Sequence, residues 1–161
     1  MNRYTSWFLL SVLLLAASVP ASAKANMHAK YKVVELKHPT KADDIDLSAN
    51  FLNYLYDGLR KELDNKGIFG TVIEDGDTIS DTDAASAVVL ECKIVEYRHG
   101  FMAVPRVIVE VKLSNRGDHK VIQQFTSKEL SIQSSASNSP DNVRGKWTAY
   151  NLAKEIQRYL K

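Results

Sequence analysis

From Leu47 to Leu63 an apolar residue stands at every fourth position: Leu47, Phe51, Leu55, Leu59 and Leu63. Leu52 and Tyr56 widen the stripe, so the spacing predicts an amphipathic helix over 47–66 with one buried face. Such a helix needs an apolar surface to lie on, which makes the strands around it the next thing to find. Asp46 is placed to cap its start. Gly67 fits the left-handed position just past its end, with Leu63 and Ile68 set for the accompanying apolar contact.

The flanking segments read as strands. Lys30 to Leu36 is the first, ended by Pro39, and Ile68 to Ile73 is a short second one. A polar, acidic loop follows from Glu74 to Ser86. The third strand, Ala87 to Tyr97, places Val88, Leu90, Cys92 and Ile94 on one face. The fourth turns Val107, Val109, Val111 and Leu113 inward, and Arg106, Ile108, Glu110 and Lys112 mostly outward. Asn115-Arg116-Gly117-Asp118 reads as a hairpin turn, with Gly117 able to take positive φ. In the fifth strand, about Lys120 to Ile132, the apolar set shifts from Val121 and Phe125 to Leu130 and Ile132. That odd-to-even switch predicts a bulge.

After a polar connector at 133–139, Ser139-Pro140 opens a closing helix over 140–160. Ala149, Leu152, Ala153, Ile156 and Leu160 line its buried face. The order β-α-β-β-β-β-α predicts an α+β fold: a single mixed sheet with two helices largely on one face. The crossover helix should leave the first two strands parallel, with a right-handed connection. With 45% hydrophobic and 25% charged residues, the chain has the composition of an ordinary globular protein.

The amino terminus reads as an address. Arg3 supplies a positive charge and Trp7 to Ala17 is apolar apart from Ser11. Pro20 then precedes the small residues Ala21-Ser22-Ala23. This pattern predicts a secretory signal peptide over 1–23, cleaved after Ala23, with Ala25 the alternative. An uncleaved anchor is the competing reading, but the apolar stretch is shorter than the roughly 20 residues that span a bilayer. Removing 23 of 161 residues, Arg3 among them, leaves a single 138-residue domain over 24–161 and lowers the net charge from +2 to +1. The expected location is periplasmic or secreted. A single cysteine, Cys92, forms no disulfide within the chain.

Catalytic and ligand motifs are sparse. His28, His38, His99 and His119 share no metal-ligand spacing. A Cys92–His99 dyad lacks an orienting partner, and Cys92 falls on the apolar face of its strand, where a free thiol acts as a small hydrophobe. Glu74, Asp75, Asp77, Asp81 and Asp83 crowd one loop. Read as a calcium loop, however, that segment has Ile79 at its fifth position and Ser86 at its twelfth, so it reads as a solvated connection. Arg144, Lys146, Lys154 and Arg158 are interleaved around the closing helix rather than gathered in a stripe, which argues against nucleic acid. No enzyme activity, cofactor or metal is expected.

The run Gly67-Ile68-Phe69, the segment Ala85-Ser86-Ala87-Val88-Val89-Leu90-Glu91-Cys92-Lys93-Ile94 and the strand Val107-Ile108-Val109-Glu110-Val111-Lys112-Leu113 form a pattern with the signal and long helix before them. It resembles an uncharacterised family of bacterial envelope proteins, many of them lipoproteins, similar in fold to the N-terminal domain of TolB. The penicillin-binding-protein activator and curli secretion lipoproteins are similar in the same sense. This chain departs from the pattern in lacking the aspartate and glycine of the third strand and a lipobox cysteine. The resemblance implies a non-catalytic envelope module that works through protein contacts.

Two apolar groups need an explanation beyond the core. At 100° per residue, Val143, Trp147 and Tyr150 project away from the buried face of the closing helix. Phe101, Met102 and Val104 occupy the hairpin between strands three and four. Either they fold back over the core, or they form a site for an envelope partner or for self-association, since Trp, Tyr and Met are enriched at interface centres. The expected function is an exported, non-catalytic interaction module. A small-molecule or lipid carrier, which needs an enclosed apolar cavity, is the alternative.

Overall fold

The computed structural model describes residues 30–98, 104–132 and 140–160. Its first helix, α1 (Ala49–Lys66), buries Phe51, Leu55, Leu59 and Leu63 completely. The helix starts at a different cap from the one expected. Ser48, not Asp46, holds the extended cap conformation, and its Oγ accepts the Phe51 N–H at 3.0 Å. Both residues are good caps; choosing Ser48 leaves Leu47 free to be buried ahead of the first turn. The far end is as read: Gly67 sits at φ 61° and donates its N–H to the Asp64 carbonyl.

The sheet beneath is mixed. β1 (Tyr31–Leu36) pairs in parallel with β3 (Phe69–Glu74), the strand reached through α1, and on its other side with β4 (Val88–Arg98). Pro39 interrupts the first strand, but the chain rejoins β4 as β2 (Thr40–Lys41). The acidic connection is not a plain loop, because Asp81–Ala84 forms one turn of helix, α2. β4 then pairs antiparallel with β5 (Arg106–Asn115), with a register shift between Ile94 and Glu96. The full path is β3-β1-β4-β5-β6, the last being Val121–Thr126.

The expected fifth strand is two strands, β6 and β7 (Leu130–Ser131), both paired with β5. Thr126 lies opposite Glu110 and Leu130 opposite Val107, so the outer strand holds one more residue than its partner between these pairs. This is the bulge that the odd-to-even switch predicts. Ser127 fills the gap in the ladder. Its N–H donates to the Val109 carbonyl at 2.8 Å, and its Oγ accepts the Val109 N–H at 3.0 Å. In the β5–β6 turn, the left-handed residue is His119 at φ 56°, not Gly117. Asn115 Oδ1 accepts from Gly117 N and Asp118 Oδ1 from Lys120 N, so side chains shape the turn before the glycine's freedom is needed.

The closing helix α3 (Asp141–Leu160) lies beside α1 on the same sheet face. Contact between the two is made at backbone distance. A Cβ on Gly145 would come within 2.7 Å of Tyr54 Cβ, 2.9 Å of Leu55 N and 3.0 Å of Phe51 O; one on Gly58 would meet Ala149 Cβ at 2.8 Å. Helix propensity alone favours Gly145→Ala by about 1 kcal/mol. The obstructing atoms of Leu55 and Phe51 are backbone and cannot swing aside, so overpacking dominates. Urea unfolding should show Gly145→Ala destabilised by roughly 1–3 kcal/mol. Gly117→Ala, whose Cβ would make only an ordinary contact with Asn115 Oδ1 at 3.7 Å and whose φ is negative, should change stability by less than about 0.5 kcal/mol.

Candidate functional site

Both helices occupy one side of the sheet, which leaves the other side and the outer flank of α3 as the surfaces available for function. Ala149, Leu152, Ala153 and Ile156 are fully buried. On the opposite flank, Trp147 is 40% exposed and Val143 38%. Tyr150 is half-buried and stacks on Trp147, with ring centroids 5.8 Å apart. Two ammonium groups sit over the Tyr150 ring: Lys154 Nζ at 4.2 Å and Lys66 Nζ at 5.2 Å. Trp147 also borders an open cleft of about 360 Å³ against Leu130 and Ser131 of β7. Glu155 lines this cleft, and its buried Oε2 has no hydrogen-bond partner.

Val104, the other candidate the structure describes, is 50% exposed. It precedes Pro105, whose carbonyl accepts the Ile132 N–H just past β7, so Val104 and Trp147 both flank that short strand. Glu129 bridges Arg98 and Arg106 at this end, with Arg106 Nη1 at 2.8 Å. The Arg106 hydrogen bond, with the charge of Arg98, holds the Glu129 carboxyl below its ordinary range. Phe101 and Met102, the connector 133–139 and the signal segment with Ala23 lie outside the described residues. No described helix is long and apolar enough to cross a membrane.

The face turned away from the helices carries a site that the sequence reading missed. Glu35 is only 3% exposed, although it stands among Val33, Val34 and Leu36. Lys37 Nζ lies 2.7 Å from its Oε1, Arg116 Nε 2.5 Å from its Oε2, and Gly76 N–H donates to Oε1 at 3.3 Å. Lys37 also reaches Asp75 Oδ1 at 2.5 Å. Burial opposes charge on Glu35, but the bonds from Lys37, Arg116 and Gly76 outweigh it and hold the carboxyl at about 2. Hydrogen bonds from Lys37 to Asp75 and Glu35 push the Lys37 ammonium above its usual range. Next to the cluster, Lys112 pairs with Glu91 at 2.6 Å along a groove of about 610 Å³ that His119 also lines. The charges on this wall are matched to one another. The only signal in the sequence was a lone acid in an apolar strand.

A carboxyl lowered on folding stabilises the protein above its unfolded pKa, and that stability is lost as pH falls through the folded value. The wild type should therefore lose roughly 2–3 kcal/mol between about pH 5 and pH 2 through Glu35. In Glu35→Gln, acid titration of stability should be flatter over that window, and stability at pH 7 lower.

Cys92 is buried in β4, and burial pushes its thiol up to about 12. At neutral pH it is protonated and a poor nucleophile. His99, its imagined partner, lies outside the described residues. Among the described residues no group of three or more His, Cys, Asp or Glu is placed to hold a metal ion. In the acidic segment, Asp77 accepts the Glu74 N–H, Asp83 accepts from Ser80 Oγ, and Glu74 pairs with Arg60. A thiol reagent should label Cys92 slowly until denaturant is added. Cys92→Ala should cost roughly 1–2 kcal/mol by removing buried volume.

No family model matches the chain, and no curated protein matches its sequence. Solved structures do share its fold. A Xanthomonas campestris protein described by the family model DUF330 aligns over 79% of this chain and 81% of its own, with 12% identity and a TM-score of 0.51. The PelC dodecamer from Paraburkholderia phytofirmans aligns over 80% and 86%, with 14% identity and a TM-score of 0.52. TolB from Acinetobacter baumannii aligns over 82% of this chain and 29% of its own, with 14% identity and a TM-score of 0.44. The chain thus shares the fold of the DUF330 protein and of PelC.

Proposed function

We propose that this chain is an exported, non-catalytic module of the bacterial envelope that works by binding protein partners, itself included, through the outer flank of α3 and the adjoining β7. The observation that carries the reading is Trp147. A large aromatic residue stands 40% exposed at the mouth of a cleft, while the opposite side of the same helix is sealed in the core. Burying such a ring, with Tyr150 stacked behind it, is the kind of contact that concentrates binding energy at interfaces. Lys154 and Lys66 favour a partner with acidic or carbonyl-rich chemistry.

The absence of enzymatic activity is part of the proposal. It is supported by the buried, protonated Cys92 and by the ion-paired side chains of the opposite face. A carrier would need open space between sheet and helices, where Phe51, Leu55, Leu59, Leu152 and Ile156 are packed without exposure. PelC, whose fold the chain shares, is a dodecamer, which supports self-association as one use of such a surface. Export rests on the sequence of residues 1–23.

Affinity capture of the mature protein from its own envelope fraction, beside Trp147→Ala, tests the reading. The variant should keep nearly the wild-type melting temperature and lose the captured partner. A Trp147→Ala protein that melts several degrees early and still binds everything the wild type binds would remove the interface and leave Trp147 a packing residue.

A further inference from the structure

The two edges of the sheet differ in chemistry. β3 is flanked by Asp57, Arg60, Lys61 and Asp64 of α1, and its last residue, Glu74, is ion-paired with Arg60. Such charges keep an open edge from pairing with another chain. The opposite edge, β6, reads Val-Ile-Gln-Gln-Phe-Thr and holds no charged residue, proline or glycine. Val121 and Ile122 are 45% and 46% exposed.

The remaining β6 side chains are tied back to the domain. Gln123 Nε2 donates to the Tyr159 carbonyl at 2.8 Å, Gln124 bonds the Glu110 carboxylate, and Phe125 stacks on Tyr159 with centroids 4.1 Å apart. One hydrogen-bonding side of the strand is taken by β5, and no described strand lies on the other. The register irregularity sits at its first pair, Ser114 with Val121, which leaves Gln123–Thr126 in regular extended pairing. The uncharged, regularly paired stretch Gln123–Thr126, with the exposed Val121 and Ile122 before it, is a template for another strand.

We propose that β6 is a pairing site for the β6 strand of a second copy of this chain, the two running antiparallel and joining the sheets across a two-fold axis. Self-pairing of an uncharged strand sets no like charges against each other, whereas pairing with β3 would require stripping water from Asp57, Arg60, Lys61 and Asp64. The edge therefore fits its own copy better than the other edge, which gives a closed dimer rather than a head-to-tail chain. This inference goes beyond the function proposed above and does not depend on what binds Trp147.

Sedimentation of the mature protein between about 1 and 100 µM, the range in which a micromolar Kd is read, tests it. Wild type should pass from one to two chains, Ile122→Lys should stay a monomer throughout, and Thr71→Lys on β3 and Trp147→Ala should both still dimerise. Hydrogen exchange on the wild type, which does not depend on a variant folding, should slow with concentration at residues 121–126 and not at 69–74. A wild type that is monomeric throughout overturns the proposal. So does an assembly that survives a folded Ile122→Lys, one that Thr71→Lys or Trp147→Ala reduces to single chains, or one that still grows beyond two chains in Trp147→Ala, where the α3 flank no longer contributes.

Discussion

The α1–α3 contact at Gly58, Ala149 and Gly145 sets the width of the helix layer, and much else follows from that width. Two helices with side chains between them sit about 8–10 Å apart, and here the glycines bring the backbones so close that an added Cβ would collide with the facing helix. Both helices can then seal the same stretch of sheet, so Phe51 to Leu63 and Ala149 to Leu160 face the inward residues of β1, β4 and β5 together. Committing both helices to one side leaves the reverse of the sheet without a covering layer among the described residues. The Glu35 cluster answers that need. It ties β1, the 75–77 segment and the Arg116 turn over strand residues Val33 and Val89, which are buried outside the helix-side core.

Much of this fold was legible in the sequence, because its signals are local and periodic. The every-fourth stripe specified α1, the alternation specified β4 and β5, and a change of parity announced the break between β6 and β7. The misreadings share a cause. Asp46 and Ser48 are equivalent caps until the burial of Leu47 decides between them. Gly117 looked like the residue for a left-handed turn position, but two side-chain bonds from Asn115 and Asp118 moved that position to His119. Glu35 was invisible for a stronger reason: its partners come from 37, 76 and 116, and only the folded sheet makes them neighbours. The candidate site was half legible. Helical periodicity put Val143, Trp147 and Tyr150 on the outer flank of α3, but nothing in the sequence placed β7 beside them.

The molecule thus divides its surface by electrostatics. The reverse of the sheet and the β3 edge carry many charges, most of them satisfied by neighbours in the same chain. The opposite edge and the outer flank of α3 carry exposed apolar side chains, with the Glu110 carboxylate on Gln124, the ammonium groups over Tyr150 and the charged residues of the Trp147 cleft beside them. A groove whose charges are already paired offers shape and little net field, whereas an exposed indole offers area that water covers poorly.

Ser127 imitates a piece of main chain. By accepting the Val109 N–H with a hydroxyl, it lets the outer strand carry one extra residue without leaving an amide on β5 unsatisfied. The extra residue acts as a phase shift. Downstream of it the rule for which parity faces inward is inverted, so that Leu130 and Ile132 are buried where an unbroken ladder would have turned them outward. A one-residue deletion at 127–129 would therefore close the ladder with Leu130 still opposite Val107, whereas the full sequence paired without the bulge would behave like a frameshift written in space rather than in codons, turning Leu130 and Ile132 to water without altering either.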